Sequence, residues 1–278
     1  MRPTHKGWLD ELNSALSSSS IDTSAPGAAS RCLLVTGPPR SGTTLMLQAL
    51  RAYLPATVID HLSASFWLQP DVGVRLSDAM RARTHAENLK SSFSSKWGLT
   101  PNWYEPHEFS YFWRDSLSWT SPHSEPTREV VRNTNFSGAA QLLEQAARAT
   151  ALPLAAKGFP LLWCGREFLD VSVSCALIVM TRETDALHKS ISSGWKLSDD
   201  WFSLRPLGWR ALADRPVAER VDYQVGRLVE SSEKLLATKH ERIFEVSLEA
   251  LADDPRATVE ELHHKLVARS FLAGNRGA

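Results

Sequence analysis

The stretch CLLVTGPPRSGTTLMLQAL, residues 32–50, decides the predicted fold. An apolar run is followed by a Gly-Pro-Pro turn, by the residues RSGTT, and by a leucine-rich segment that favours a helix. This order predicts a buried strand, a tight loop and a helix. Gly37 and Gly42 let the loop bend without a Cβ clash, so backbone N–H groups and the helix N-terminus can converge on one anion. The stretch therefore predicts a phosphate-binding loop.

The rest of the chain alternates between strand-like and helix-like segments. Strands are predicted at residues 56–59, 152–156, 175–180 and 242–246, and the main helices at residues 136–149, 161–169, 217–239 and 258–266. Such alternation is typical of parallel strands joined by right-handed crossovers. We predict an α/β fold: a P-loop-like parallel sheet flanked by helices on both faces, in which ligands bind beyond the carboxyl ends of the strands.

Length and composition fit one large domain. The chain has 278 residues, of which 43% are hydrophobic and 22% charged, which is enough for a sizeable core. Residues 1–30 contain a possible short helix at residues 7–16 and then a run rich in Ser, Ala, Pro and Gly that is typical of a linker. We therefore predict a flexible N-terminal segment over residues 1–30, outside the core fold, and a single domain over residues 31–278.

Charge and cysteine content limit the partners and the compartment. Lys plus Arg and Asp plus Glu both number 31, so no overall charge favours nucleic acid or an anionic membrane. No signal peptide is recognisable, and no apolar run approaches the roughly 20 residues of a membrane helix. The three scattered cysteines favour reduced thiols in a core over disulfides or a metal site, which predicts a soluble, cytoplasmic protein.

The phosphate-binding loop departs from the motif of triphosphate enzymes at one decisive position. Gly37 and Gly42 have the GxxxxG spacing of a Walker A loop, and Thr44 occupies its Ser/Thr position. Thr43, however, stands where that motif requires Lys, and no obvious strand ends in an Asp that would hold Mg²⁺. The positive charge of the loop lies at Arg40 instead. A nucleoside-triphosphate-dependent kinase is therefore disfavoured, although it stays an alternative.

Two stretches together resemble the sulfotransferases that use 3′-phosphoadenosine 5′-phosphosulfate (PAPS). PRSGTTL, residues 39–45, is similar to their 5′-phosphosulfate loop in the arginine form of tyrosylprotein, Golgi and many bacterial members. Their second signature is an Arg at the end of a buried strand with a Ser eight positions later, which Arg182 and Ser190 match. The resemblance spans about residues 31–266 and implies a metal-independent transfer from PAPS. It assigns donor binding to Gly37, Arg40, Ser41, Gly42, Thr43, Thr44, Arg182 and Ser190.

The same resemblance implies two catalytic cations. KGFP, residues 157–160, is similar to a strand-end segment of tyrosylprotein-type members whose lysine assists transfer, so Lys157 takes this role. Together with Arg40 it would stabilise the negative charge on the sulfuryl oxygens and on the departing phosphate. A segment around residues 245–255 also resembles the family, whereas the family's C-terminal basic loop has only a faint counterpart at residues 274–277.

The base that accepts the proton of the acceptor hydroxyl has three candidates, because family members use His or Glu. His61 follows the second predicted strand, near the position of a Glu in tyrosylprotein-type enzymes, and is the first choice by position. Glu105 and Glu108 lie in EPHEFSYFW, residues 105–113, which resembles a stretch of bacterial members, and either can act instead. The aromatic residues of the longer segment 101–113, which contains this stretch, fit equally a pocket wall for an apolar acceptor or an ordinary core segment.

The resemblance implies transfer of a sulfuryl group from PAPS to a hydroxyl. Because the candidate cap is aromatic rather than basic, a small or lipid-like molecule is the expected acceptor. Two alternatives stay open at this point: a P-loop ATP-dependent kinase, and a degenerate nucleotide-binding module without catalytic activity. The sequence indicates no nucleic-acid partner.

Overall fold

The computed structural model describes residues 5–18, 31–85, 89, 92–95, 98–196 and 201–273. Its centre is a five-stranded, entirely parallel sheet with the strand order β2-β3-β1-β4-β5. Each strand lies within two residues of its predicted bounds, and the predicted parallel sheet is confirmed. The strands are β1 (Cys32–Thr36), β2 (Thr57–Val58), β3 (Leu154–Lys157), β4 (Cys175–Thr181) and β5 (Ile243–Ser247).

Helices cover both faces of the sheet, as predicted. They are α1 (His5–Ser17), α2 (Thr43–Tyr53), α3 (His61–Ala64), α4 (Pro70–Ala82), α5 (Ser110–Leu117), α6 (Arg128–Asn133), α7 (Phe136–Arg148), α8 (Leu161–Val171), α9 (Thr184–Trp195), α10 (Val217–Ala237), α11 (Leu248–Asp253) and α12 (Pro255–Ala268). None of these described helices is both long and apolar enough to cross a membrane.

Alternate residues of β1, β3 and β4 belong to two separate cores. In β1, Leu34 packs in the core that includes α7, α8 and α10, whereas Leu33 packs in the core that includes α2 and α12. All five residues of β1 are buried. Burial on both faces explains why the strands are near-continuous apolar runs in the sequence, as is usual for parallel sheets. The two cores belong to one domain.

The sheet register brings the ends of three strands to one edge. Val35 pairs with Lys157 across β1 and β3, and Thr36 pairs with Val179 across β1 and β4. The residues that follow β1 and β4, namely Gly37 and Arg182, therefore emerge beside Lys157 at the carboxyl edge of the sheet.

Helix α1 is attached to the core, in contrast to the expectation for residues 1–30. Asn13 is fully buried, and its amide donates to the carbonyls of Leu9 and Ser65 at 2.9 Å each. Its side-chain oxygen accepts from the backbone N–H of Leu68 at 3.0 Å. A buried amide must find hydrogen-bond partners, and two of these, Ser65 and Leu68, lie beyond the end of α3. Residues 5–18 are thus docked against the domain, and the rest of the predicted flexible segment lies outside the described residues.

Candidate active site

The loop between β1 and α2 has an unusual backbone. Gly37, Arg40 and Gly42 all have positive φ angles, at 144°, 71° and 89°. A Cβ on Gly37 would lie 2.4 Å from the carbonyl oxygen of Met180 in β4, so only glycine fits there. Left-handed residues alternating with right-handed ones turn successive N–H groups towards one point and form an anion-binding concavity. The structure confirms the predicted strand, loop and helix.

The start of α2 adds to this concavity. Ser41 closes the turn, since both its backbone N–H and its hydroxyl donate to the carbonyl of Pro38, at 3.2 and 2.7 Å. The helix begins at Thr43, and its first turn has N–H groups without intrahelical acceptors, at the positive end of the helix dipole. Such an N-terminus at the bottom of a concave loop is a general site for phosphate or sulfate groups.

Arg40, Arg182 and Ser190 meet at one side of this loop. Arg40 Nε donates to Ser190 Oγ at 3.1 Å, and Arg182 Nη1 donates to the carbonyl oxygen of Arg40 at 2.9 Å. Burial lowers the pKa of Arg40 from its ordinary value, and the nearby charge of Arg182 lowers it further. Two guanidinium groups held this close make an anion between or beside them favourable.

Lys157 lies at the end of β3 and is 6% exposed. Its ammonium Nζ donates to Thr44 Oγ1 at 3.2 Å and to Glu108 Oε1 at 3.1 Å. The Thr44 hydroxyl donates in turn to the carbonyl of Gly98 at 3.2 Å. The indole N–H of Trp113 in α5 donates to the backbone oxygen of Lys157 at 2.6 Å, which attaches the helix that follows Glu108 to the strand end.

These groups line a single cavity of about 430 Å³. Its strand side, as we name it, consists of the loop residues 37–40 and 42–44 together with Lys157 and Arg182, to which Ser190 is attached through Arg40. Ser41 is fully buried and does not line the cavity. Its loop side consists of residues contributed by longer connections: Ser95, Gly98, Leu99, Glu108, His123, Phe202, Ser203 and Leu204. Leu45, Phe159 and Leu248 complete the walls, which are cationic on the strand side and combine apolar and polar groups on the loop side.

Glu108 and His123 are the cavity's candidate proton acceptors. Burial acts to raise the pKa of Glu108, but the charge and the hydrogen bond of Lys157 outweigh it, so this pKa lies below its ordinary value. Burial lowers the pKa of His123, an effect that the charge of Glu108 only partly opposes. The imidazole of His123 stacks on Phe159 with ring centroids 4.6 Å apart. A carboxylate and a neutral imidazole therefore face the same space.

His123 is a residue that the sequence reasoning missed. It lies between α5 and α6 in the irregular stretch SPHSEP, which has no motif and no periodicity. Its position is set by pairing with a distant loop: its carbonyl accepts from the N–H of Arg205, and Arg205 O accepts from the N–H of Glu125, both at 2.8 Å. Nothing in the local sequence signals such a long-range pairing.

Two predicted base candidates are not brought to the cavity. Asp60 caps α3 by accepting from the N–H of Ser63, so the chain turns directly after β2 and carries His61 into the helix. His61 Nε2 there contacts Thr100 Oγ1 at 2.9 Å. Glu105 is fully buried and accepts from the N–H and hydroxyl of Ser92 at 3.0 and 2.6 Å. Neither side chain lines the cavity.

None of the aromatic rings of residues 105–113 lines the cavity, and all but the exposed Tyr111 lie in the core. Phe109, Phe112 and Trp113 are each at most 1% exposed, and the rings of the first two stack 4.4 Å apart. They lie on one face of α5 and its N-cap position, Phe109, at the i, i+3, i+4 spacing of a buried helix face. The helix was not predicted because the prolines before it obscure its period. Of the residues 105–113, only Glu108 lines the cavity.

Of the two C-terminal segments that resemble the family, the structure describes one. Leu248, in the segment that resembles the family around residues 245–255, packs beside Gly42, where a Cβ would approach its Cδ1 to 2.6 Å. Residues 274–277, the faint counterpart of the family's basic loop, lie outside the described residues. Among the residues that the structure does describe, no three His, Cys, Asp or Glu side chains are grouped as a metal site.

No protein-family model and no curated protein sequence matches this chain. Solved structures do match. The sulfotransferase STF9 from Mycobacterium avium superposes with a TM-score of 0.53 at 15% identity, over 96% of this chain and 70% of that one. The sulfotransferase STF1 from Mycobacterium tuberculosis H37Rv gives a TM-score of 0.51 at 17% identity, over 87% of this chain and 68% of that one. The chain therefore has the fold of these mycobacterial sulfotransferases.

Proposed function

We propose that this protein is a sulfotransferase that moves a sulfuryl group from PAPS to a hydroxyl of a small or lipid-like acceptor. One observation carries the proposal. Arg40 and the pair Arg182 and Ser190 come from stretches about 140 residues apart, yet they form one hydrogen-bonded group at the rim of a phosphate-binding loop. A protein that binds only a 5′-phosphate has no need of this second cationic group. The fold of the two mycobacterial sulfotransferases supports the same conclusion.

The residues of the strand side suit the two anionic ends of PAPS. The concave loop at Gly37 and Gly42, with the hydroxyls of Thr43 and Thr44 nearby and Ser41 closing the turn, suits the 5′-phosphosulfate. Arg182 and Ser190, which lie together beside the loop, suit the 3′-phosphate. Guanidinium groups recognise phosphate well because their donors match its oxygens in a fixed geometry.

Fixed cations would supply most of the catalysis. Sulfuryl transfer resembles phosphoryl transfer in that negative charge spreads over the peripheral oxygens and the leaving group. Lys157 is nearly buried and lines the cavity beside Thr44, where its charge is weakly screened. Arg40 adds a second positive charge on the phosphate side. These two residues stabilise the developing charge, while Glu108 or His123 accepts the proton of the attacking hydroxyl.

The loop side suits an uncharged acceptor. Leu99, Phe202 and Leu204 supply apolar surface, to which Phe159 adds from the adjoining wall. The aromatic rings of residues 105–113 do not line the cavity. The residues that favour an uncharged acceptor are therefore not those that the sequence suggested. Its hydroxyl would point towards Glu108, His123 and Lys157, the polar groups where the two sides meet.

The rival functions make different predictions about the same loop. A kinase would need a cation at position 43 in its P-loop, where this chain has Thr43. A binding module without activity would have no use for a nearly buried lysine beside a carboxylate in the cavity. The three free, buried cysteines, Cys32, Cys164 and Cys175, support a reducing cytoplasmic setting for the proposed enzyme.

Transfer of ³⁵S from labelled PAPS to a panel of hydroxylated acceptors tests the proposal. We expect labelled product without added metal, and a large loss of product in Arg40→Ala. Mg²⁺-dependent turnover of ATP without any binding of PAPS would favour the kinase. Binding of PAPS without transfer to any acceptor of the panel, and without hydrolysis, would favour the non-catalytic module.

A further inference from the structure

The ammonium of Lys157 is engaged by the protein's own groups. Glu108 Oε1 lies 3.1 Å from Nζ, and Thr44 Oγ1 lies 3.2 Å from it. Thr44 is engaged in turn by the carbonyl of Gly98. Both polar groups that would face the sulfuryl end of a donor therefore already contact oxygen atoms of the protein. The carboxylate is the only negative charge among these contacts.

A nearly buried ammonium needs a counter-charge, and Glu108 supplies it here. The lysine side chain is 8% exposed and the carboxylate 37%, so the pair lies at the mouth of the cavity rather than in the core. A second anion at Lys157 would be repelled by Glu108 at this distance, in surroundings that screen charge less than bulk water does. Glu108 and an anionic donor consequently compete for one cation.

Glu108 can move away from Lys157 only by rotation of its side chain, because the backbone on either side of it is held in place. The backbone N–H of Phe109 donates to His107 Nδ1 at 3.0 Å, and Phe109 itself is 1% exposed. The residues on either side of Glu108 are therefore anchored, and α5 begins directly after them. Rotation about the side-chain bonds can move the carboxylate off Lys157 while its Cα stays in place beside the cavity.

We propose that Glu108 is a built-in counter-ion of Lys157 that the donor displaces, and that the displaced carboxylate then accepts the proton of the acceptor hydroxyl. In that step the hydroxyl oxygen forms the new bond to sulfur, the bond from sulfur to the phosphate oxygen breaks, and the hydroxyl proton passes to Glu108. The departing bisphosphate keeps the electron pair. The inference rests on the proposed function and adds an order of events to it: the donor binds first, and only then can Glu108 act as the base.

The electrostatics of the pair agree with this order. While Lys157 holds it, Glu108 has a pKa below its ordinary value and is a weak base. Engagement of Lys157 by another anion removes the interaction that lowers this pKa. The base therefore strengthens when the donor engages Lys157.

A double-mutant cycle on binding of 3′-phosphoadenosine 5′-phosphate tests the displacement. Glu108→Gln should tighten binding by about fivefold, because the competing charge is gone. Lys157→Met should weaken binding at least tenfold. In the Lys157→Met background, Glu108→Gln should give almost no gain, because the group competed for is absent. Equal gains in both backgrounds would indicate general repulsion and would overturn the inference, as would no gain in either.

Three further measurements separate displacement of Glu108 from a general effect of charge, from failure of the proposed function, and from a structural role of Glu108. Glu245→Gln also removes one carboxylate near the end of β4, but that carboxylate accepts from Thr181 Oγ1, so its effect reports overall charge alone. Failure of the unmodified protein to bind the bisphosphate would count against the proposed function itself.

Glu108→Gln should lower the transfer rate about a hundredfold while its binding of the bisphosphate tightens. A loss of both transfer and binding would indicate a structural role for Glu108. Thermal unfolding checks folding, and should Glu108→Gln not fold, Glu108→Asp, with a shorter reach to Lys157, must tighten binding as well.

Discussion

The strand side and the loop side of the cavity are built in different ways. Every charged group of the strand side lies at the end of a strand or within one loop of it: Arg40 follows β1, Lys157 ends β3 and Arg182 follows β4. The loop side is assembled from connections around residues 98–108, 121–125 and 202–204, which are held by contacts between distant parts of the chain. Motif reasoning found the first group, whereas of the second it found only Glu108.

This difference shows what a motif encodes. A motif at the end of a strand determines where its residues lie, because the paired strands of a parallel sheet place their carboxyl ends at the same edge. A loop residue such as His123 takes its place from a partner far away in sequence. If this comparison is correct, changes on the strand side should affect both folding and transfer, and changes on the loop side should affect mainly transfer.

The largest expected effect is on Lys157. Lys157→Met should lower the transfer rate by about a thousandfold, because a nearly buried cation that faces developing negative charge is worth far more than an exposed one. The matched control is Lys234→Met, which removes a lysine paired with Glu230 on the surface of α10. Steady-state rates with saturating PAPS measure both. Similar losses in the two variants would remove the catalytic assignment.

Two glycines allow the same substitution on both sides of the cavity. Gly37→Ala forces a Cβ against the Met180 carbonyl at 2.4 Å and should cost about 3 kcal/mol or more. Gly98→Ala, at φ 86°, meets nothing closer than 3.7 Å and should cost only about 1 kcal/mol of backbone strain. Urea unfolding of both variants measures these costs. A larger cost for Gly98→Ala would reverse the comparison.

His107 should make the protein sensitive to acid. Burial, more than the charge of His61, lowers the pKa of His107 from 6.5 to about 4. The unfolded chain therefore takes up a proton near pH 6.5 and the folded protein does not, so stability falls as the pH is lowered towards 4, by about 3 kcal/mol. His107→Asn keeps an acceptor for the Phe109 N–H and removes the titration. Its unfolding free energy should fall less between pH 6.5 and 4; an unchanged slope would contradict the assignment.

The choice of base distinguishes position in sequence from position in space. Glu108→Gln should lower transfer about a hundredfold, because the base is lost. His61→Gln should change it less than threefold, since His61 contacts Thr100 rather than the cavity. The same ³⁵S assay measures both variants. A large loss in His61→Gln with little loss in Glu108→Gln would favour the assignment made from sequence position.

The smallest effect concerns the N-terminal helix. Asn13→Ala removes the buried amide that joins α1 to Ser65 and Leu68, and should cost about 1–2 kcal/mol. Chemical unfolding followed by tryptophan fluorescence measures this loss, and transfer should stay within about twofold of the unmodified protein. No loss of stability would return α1 to a segment independent of the domain.

The sequence was sufficient for the positions and the parallel direction of the strands, because strands buried on both faces are continuous apolar runs and alternate with helices. The motifs also named residues that lie together in the structure, where Arg182 and Ser190 meet Arg40. Motif spacing did not predict the positions of His61 and Glu105, which depend on a helix cap and on burial. The Asp60 cap turned His61 away from the cavity, and burial turned Glu105 into a bonding partner for Ser92. Neither outcome follows from motif spacing.

Selective recognition of the 3′-phosphate is the most direct test of the central claim. Calorimetric titration should compare 3′-phosphoadenosine 5′-phosphate with adenosine 5′-phosphate, on the unmodified protein and on Arg182→Ala. We predict that the unmodified protein prefers the bisphosphate by at least tenfold, and that Arg182→Ala loses most of this preference while it binds adenosine 5′-phosphate as before. Equal affinity of the unmodified protein for the two nucleotides would contradict a PAPS-binding site.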